Sequence, residues 1–146
     1  MITMFYAGLC TLLVLVLAVR VIARRLQAKI GIGDGGDHEM QRRVRAHANS
    51  VECLPLALLL LGGMELNGYP NAVIHAFGAT LLVSRLLHAW GLSRKSGASP
   101  GRFVGTLLTL LLMVAMALFA IAGFVGPYLA SDAEAEAEAA SMYDGT

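Results

Sequence analysis

Arg45, Asn49 and Glu52 sit four and three residues apart in the stretch "RAHANSVE". At about 100° per residue they fall within about 60° of one another on a helix, a single narrow polar stripe. Farther along, "SRLLHAWGL" puts Arg85 and His88 on one face at i, i+3, and "SPGR" brings Arg102 to the start of another apolar run. Arginine forks grip carboxylates, and a carboxylate such as Glu52 can take an ammonium group. The set therefore suits a small ligand carrying carboxylates and an ammonium. Glu52 lies inside an apolar segment, where a lone charge costs about 2.5–3.5 kcal/mol at the helix centre. It needs a partner, and a Glu52–Arg85 ion pair between neighbouring helices is the expectation.

The elements that must carry these residues are apolar. The chain has 146 residues, 57% of them hydrophobic and only 14% charged, with a mean hydropathy of +0.67. Soluble domains carry roughly 25% charge. Apolar runs cover residues 1–19, 46–64, 69–92 and 103–130. A helix needs about 20 residues to cross about 30 Å of hydrocarbon, and the backbone must satisfy its own hydrogen bonds there. We therefore read an all-α integral membrane protein, a bundle of four transmembrane helices at about 1–26, 40–66, 69–93 and 101–130, forming one domain over residues 1–130. Barrel strands would alternate apolar and polar residues, and none of these runs does. "MITMFY" lacks a basic leader and Arg20 follows the first run, so a retained helix is expected in place of a cleaved signal.

Charge placement sets the orientation. Arg20, Arg24, Arg25, Lys29, Arg42, Arg43 and Arg45 flank the first connection; Arg94, Lys95 and Arg102 flank the third. The short connection "ELNGYP" has no base. The positive-inside rule puts both basic connections in the cytoplasm and both termini outside it. Arg42, Arg43, Arg94 and Lys95 read as topology determinants and lipid-headgroup anchors, and Trp90 as an interfacial belt residue. Because the bases cluster at the ends of apolar runs, nucleic acid is not an expected partner. The glycine-rich "AKIGIGDGGDHEM" reads as an ordered loop or re-entrant segment and lacks the G-K-[ST] ending of a phosphate loop. Residues 131–146, "SDAEAEAEAASMYDGT", form an acidic low-complexity tail, expected as a frayed extension, although "AEAEAEAA" could prolong the last helix. Cys10 and Cys53 form no C-x-x-C pair and read as small buried hydrophobes; no metal site is expected.

The ordered set of motifs resembles the MAPEG family, membrane-associated proteins in eicosanoid and glutathione metabolism, over about residues 1–127. Arg45, Asn49 and Glu52 match its R-A-x-x-N-x-x-E signature; "VIARR" closes helix one as in several members; Arg85 and His88 match an R-x-x-H element; and Arg102 in "SPGR" stands like the arginine that starts helix four in glutathione-using members. The likeness is greatest to the short bacterial branch. The resemblance implies a homotrimer in the bacterial inner membrane, with glutathione as co-substrate between subunits near the cytoplasmic surface. Arg45, Asn49, Glu52 and His88 would hold the tripeptide, and Arg102 would act catalytically by stabilising its thiolate. The implied activity is a glutathione transferase or peroxidase acting on lipophilic small molecules dissolved in the bilayer. Ala48, Cys53, Leu92 and Thr106 depart from the family, standing where some members carry an arginine or tyrosines. A non-catalytic structural or interaction protein is the alternative function. A small transporter is a third, but residues 1–66 and 69–130 show no internal repeat.

Overall fold

The structure, a computed structural model, describes residues 1–94 and 99–144. It consists of four helices: α1 (Ile2–Ala28), α2 (His38–Leu66), α3 (Asn71–Arg94) and α4 (Pro100–Asp144). Each holds a stretch long and apolar enough to cross a membrane. The protein is an all-α integral membrane protein. The inward faces keep helical periodicity: Tyr6, Cys10 and Leu17 on α1; Ala46, Ser50, Leu54, Ala57, Leu61 and Met64 on α2. Cys10, Leu54, Ala57, Leu61 and Met64 join Ile74, Leu81 and Met116 in the apolar core, and Leu17 and Ala46 join Ala89 and Leu92 in a second cluster. Helices α2 and α3 form the centre of the bundle, each touching the other three, whereas α1 and α4 do not touch among the described residues. The outward faces carry Leu12, Val16, Leu59, Leu110, Leu118 and Ile121, all exposed. In a bilayer these side chains meet acyl chains as apolar as themselves.

Small residues bring α3 and α4 together. A Cβ on Gly105 would stand 2.6 Å from both the backbone nitrogen of His88 and the carbonyl oxygen of Ser84. That backbone-to-backbone approach is how membrane helices pack closely where no hydrophobic force drives them together.

The helix ends are pinned by specific polar groups. Glu65, near the end of α2, accepts from the backbone N–H groups of Ile2 (2.5 Å) and Thr3 (2.8 Å), capping α1 from a neighbouring helix. At the opposite end Asp37 caps α2 by accepting from Glu39 N (2.8 Å) and Met40 N (2.9 Å). Arg24 donates to the same carboxylate through Nε and Nη2. The Met40 amide and the Arg24 guanidinium hold the Asp37 carboxyl below the usual carboxylate range. The glycine-rich connection is an ordered loop. Arg25 donates to the carbonyls of Gly31 (3.3 Å) and Gly33 (3.1 Å), and Gly33, Gly35 and Gly36 supply the positive φ that the turn requires. Ser99 and Pro100 start α4 as cap and first residue, with Ser99 Oγ accepting from Arg102 N at 3.3 Å.

One boundary differs from expectation. Helix α4 continues through Asp144, past Pro127 and across the alternating Ala and Glu residues, so residues 131–144 prolong the helix, the second of the two readings open from the sequence. Ala and Glu are both strong helix formers, and Pro127 removes only one backbone bond. Lys95, expected as a topology determinant, lies outside the described residues.

Gly105→Ala should lower the unfolding temperature in detergent by the equivalent of about 1–3 kcal/mol, because His88 and Ser84 contribute backbone atoms that cannot swing aside. Gly8→Ala, with nothing within 4 Å of the added carbon, should leave it unchanged or slightly raised. Equal behaviour of the two variants would contradict the close approach.

Candidate functional site

Arg85 is 1% exposed and is the largest fully buried side chain among the described residues. Its Nη1 donates to Asn49 Oδ1 on α2 at 2.7 Å, and its Nη2 to Thr109 Oγ1 (2.6 Å) and to the Gly105 carbonyl (3.2 Å) on α4. Ser84 Oγ lies 2.9 Å from the Thr109 hydroxyl and extends the network. The expected Glu52–Arg85 pair is not formed within the chain. Glu52 is exposed on the outer side of α2, and Arg85 takes neutral acceptors in its place. The stripe argument correctly grouped Arg45, Asn49 and Glu52, but the stripe straddles the edge between inside and outside. Only Asn49 turns far enough inward to meet Arg85.

An arginine has no acceptor, so its bond fixes the Asn49 amide with Oδ1 toward Arg85. The amide N–H₂ is left to face the other way. On that side lies an open cavity of about 180 Å³ between the start of α2, the last turns of α3 and the start of α4, lined by Gln41, Arg42, Arg45, Asn49, His88, Leu92 and Arg102. Four of the expected ligand-binding or catalytic residues (Arg45, Asn49, His88 and Arg102) thus meet in one pocket, while Glu52 stays outside it. Arg42 joins the lining, although the sequence reading assigned it to headgroups. Thr106 and Thr109 were missed as partners of His88 and Arg85. Spacing puts each on the same face of α4 as the residue four before it, Arg102 or Gly105, but it does not show which α3 side chain either threonine meets.

His88 is 3% exposed. Its Nδ1 lies 2.9 Å from Thr106 Oγ1, and that hydroxyl reaches back to the Arg102 carbonyl at 2.8 Å. His88 Nε2 is buried with no partner among the described residues. Arg102 is exposed and belongs to two cavities. One is the polar pocket; the other, about 400 Å³, runs along the outer side of α4 past Ser99, Phe103 and Thr106. A guanidinium at that junction can stabilise an anion formed where a polar ligand and a membrane-dissolved molecule meet.

Fold and site thus define a polytopic membrane helix bundle with an arginine-rich pocket at its basic end. The chain belongs to the MAPEG family, whose model matches residues 3–122. It is similar to the "Inner membrane protein YecN" of Escherichia coli strain K12 and of Escherichia coli O6:H1, each 38% identical over 120 residues that cover 78% of this chain and 88% of the relative.

Double-mutant cycles test the corrected partnership. Asn49→Ala and Arg85→Met, followed by thermal unfolding in detergent, should couple by about 0.5–3 kcal/mol because the residues share a buried bond. Glu52→Gln and Arg85→Met should add to within about 0.5 kcal/mol. Coupling of Arg85 to Glu52 and not to Asn49 would restore the ion pair.

Proposed function

We propose that this protein is a glutathione-dependent transferase or peroxidase acting on lipophilic electrophiles in the inner membrane, with glutathione held at the cytoplasmic side between subunits of a homotrimer. One observation carries the reading: Arg45, Asn49, His88 and Arg102, singled out by chemistry and spacing, line a single pocket at the basic end of the bundle. Its donors are those a ligand with two carboxylates needs, and its buried Nε2, without a partner among the described residues, leaves a hydrogen-bonding position for such a ligand to fill.

The pocket's size supports a shared site. About 180 Å³ within one chain is smaller than the roughly 300–1,000 Å³ of complete small-molecule sites. Glu52, a charge exposed on a membrane helix, is expensive unless another chain covers it. A second copy against this side of α2 would enlarge the pocket and bring Glu52 to the ligand's ammonium group.

The catalytic contribution is electrostatic. A thiol with a pKa of about 8.5 is mostly protonated at neutral pH, and a fixed adjacent cation shifts it toward the nucleophilic thiolate. Arg102 stays charged throughout, so it can favour thiolate without titrating. From its junction between the two cavities, it lets the sulfur attack an electrophile arriving from the bilayer along Phe103 and Thr106. Leu92, where some family members have a tyrosine, gives the pocket one apolar wall.

Thiolate formation, followed by ultraviolet absorbance as glutathione is added to the purified protein, should be visible in wild type and lost in Arg102→Ala. In conjugation assays with an aryl halide, Arg102→Ala should lower turnover about 10²–10³-fold. Glutathione affinity should fall far less, and the defect should shrink above about pH 9, where the thiol ionises unaided. Arg102→Lys should recover only part of the rate. Wild type without thiolate and without turnover would move the reading to a non-catalytic membrane protein.

The orientation is also testable. The positive-inside rule places both termini outside the cytoplasm. A phosphatase reporter fused after Thr146 should be active, and one fused after Gly36 inactive; the reverse pattern would invert the topology and the side from which glutathione enters.

A further inference from the structure

Two polar side chains of the pocket are oriented by residues that lie behind them. Asn49 is fixed by Arg85, as described. His88 is the second case, and its orientation decides what the pocket can accept. Its ring packs against α4, where the Thr106 hydroxyl lies 2.9 Å from Nδ1 and 2.8 Å from the Arg102 carbonyl. A hydroxyl has one proton and two lone pairs. If Thr106 donates to the Arg102 carbonyl, it can only accept from His88, so Nδ1 carries the hydrogen.

The other ring nitrogen argues the same way. Nε2 is buried and has no partner among the described residues. An orphaned buried N–H is rarer than an under-satisfied acceptor. The pocket around the ring also holds Arg42, Arg45, Arg102 and the Asn49 amide, with Arg85 one turn away on α3. All of these are donors, and Gln41, the remaining polar lining residue, can present either its N–H₂ or its carbonyl; an N–H pointing among the cations would be repelled where a lone pair would not.

We propose that Thr106 is a positioning residue: it holds His88 as the tautomer protonated at Nδ1, making Nε2 the neutral acceptor in a pocket of donors and matching it to an N–H or S–H of the ligand. Nothing in the family signature or in the pocket lining assigns Thr106 this part, because it stands behind the imidazole and not beside the polar pocket. The tautomer follows from the chain alone. Naming glutathione as the supplier of the donor rests on the function proposed above.

Histidine-selective ¹⁵N labelling of the full chain in nanodiscs reads the tautomer. The chain has four histidines, and His88 is identified by the signal lost in His88→Gln. Wild type and Thr106→Ser should show a protonated Nδ1 and a bare Nε2. Thr106→Val keeps the shape without the hydroxyl and should shift His88 to the Nε2–H form. Should Thr106→Val fail to fold, Thr106→Ala carries the same test, since the residue is only half-buried. Wild-type His88 protonated at Nε2, or an unchanged spectrum in both variants, overturns the proposal. Calorimetric titration with glutathione supplies the second readout. Loss of the matched acceptor should weaken binding about tenfold in Thr106→Val, and Thr106→Ser should stay within about twofold of wild type. Unchanged affinity after the tautomer has shifted overturns the acceptor role of Nε2. A wild type that binds no glutathione but shows the expected tautomer pattern supports the Thr106 assignment and defeats the glutathione reading, so the two failures are distinguishable.

Discussion

A buried guanidinium without a carboxylate is the constraint on which the rest of this bundle depends. Arg85 keeps its charge and is shut off from water, so its two terminal nitrogens, Nη1 and Nη2, are met by oxygens from neighbouring helices, while Nε is left without a partner among the described residues. Asn49 supplies one from α2, and Thr109 and the Gly105 carbonyl supply two from α4. Those bonds tie three helices at one depth. They require α4 to approach closely, which explains a glycine at 105, where any side chain would strike the backbone of α3. A carboxylate partner would have satisfied the charge with less dependence on geometry; neutral acceptors need three groups held in place together.

The pocket is a consequence of that arrangement. Once Arg85 holds Asn49 by its oxygen, the amide N–H₂ turns to the basic end of the bundle, alongside Arg45 and Arg102. Ser99 and Pro100 fix where α4 begins and so set the depth of Arg102. Asp37 does the same for α2, held by Arg24 and by the first amides of the helix. At the far end Glu65 caps α1 across the helix pair, and Tyr69 bonds the Phe119 carbonyl of α4 at 3.0 Å. The bundle is thus clamped at both ends, while its basic end stays open enough to admit a ligand.

Much of this was legible in the sequence, because a bilayer reduces the choices. Runs of about 20 apolar residues can only be helices in lipid, so the element count and type followed from composition. The family signature was legible because its residues sit at helical spacing within single helices. Four of the proposed site residues, Arg45, Asn49, His88 and Arg102, do gather in one pocket. Within a helix, spacing determines which residues share a face.

Spacing does not determine how far each helix is turned about its own axis, and there only the tertiary structure decided. A rotation that turns Asn49 inward to Arg85 leaves Glu52 outside, although the two lie about 60° apart on the same stripe. The partner of Arg85 therefore changed from a carboxylate to an amide, a hydroxyl and a backbone carbonyl. Thr106 and Thr109 became visible as partners only once α4 was docked, because a threonine in a transmembrane helix can satisfy itself on its own backbone and gives no sign of a second bond. Sequence by itself determined the helices, their polar stripes and the basic end. The choice among neighbouring polar groups depended on axial rotation and helix separation, which are set by close packing of glycines against backbone and have no one-dimensional signature.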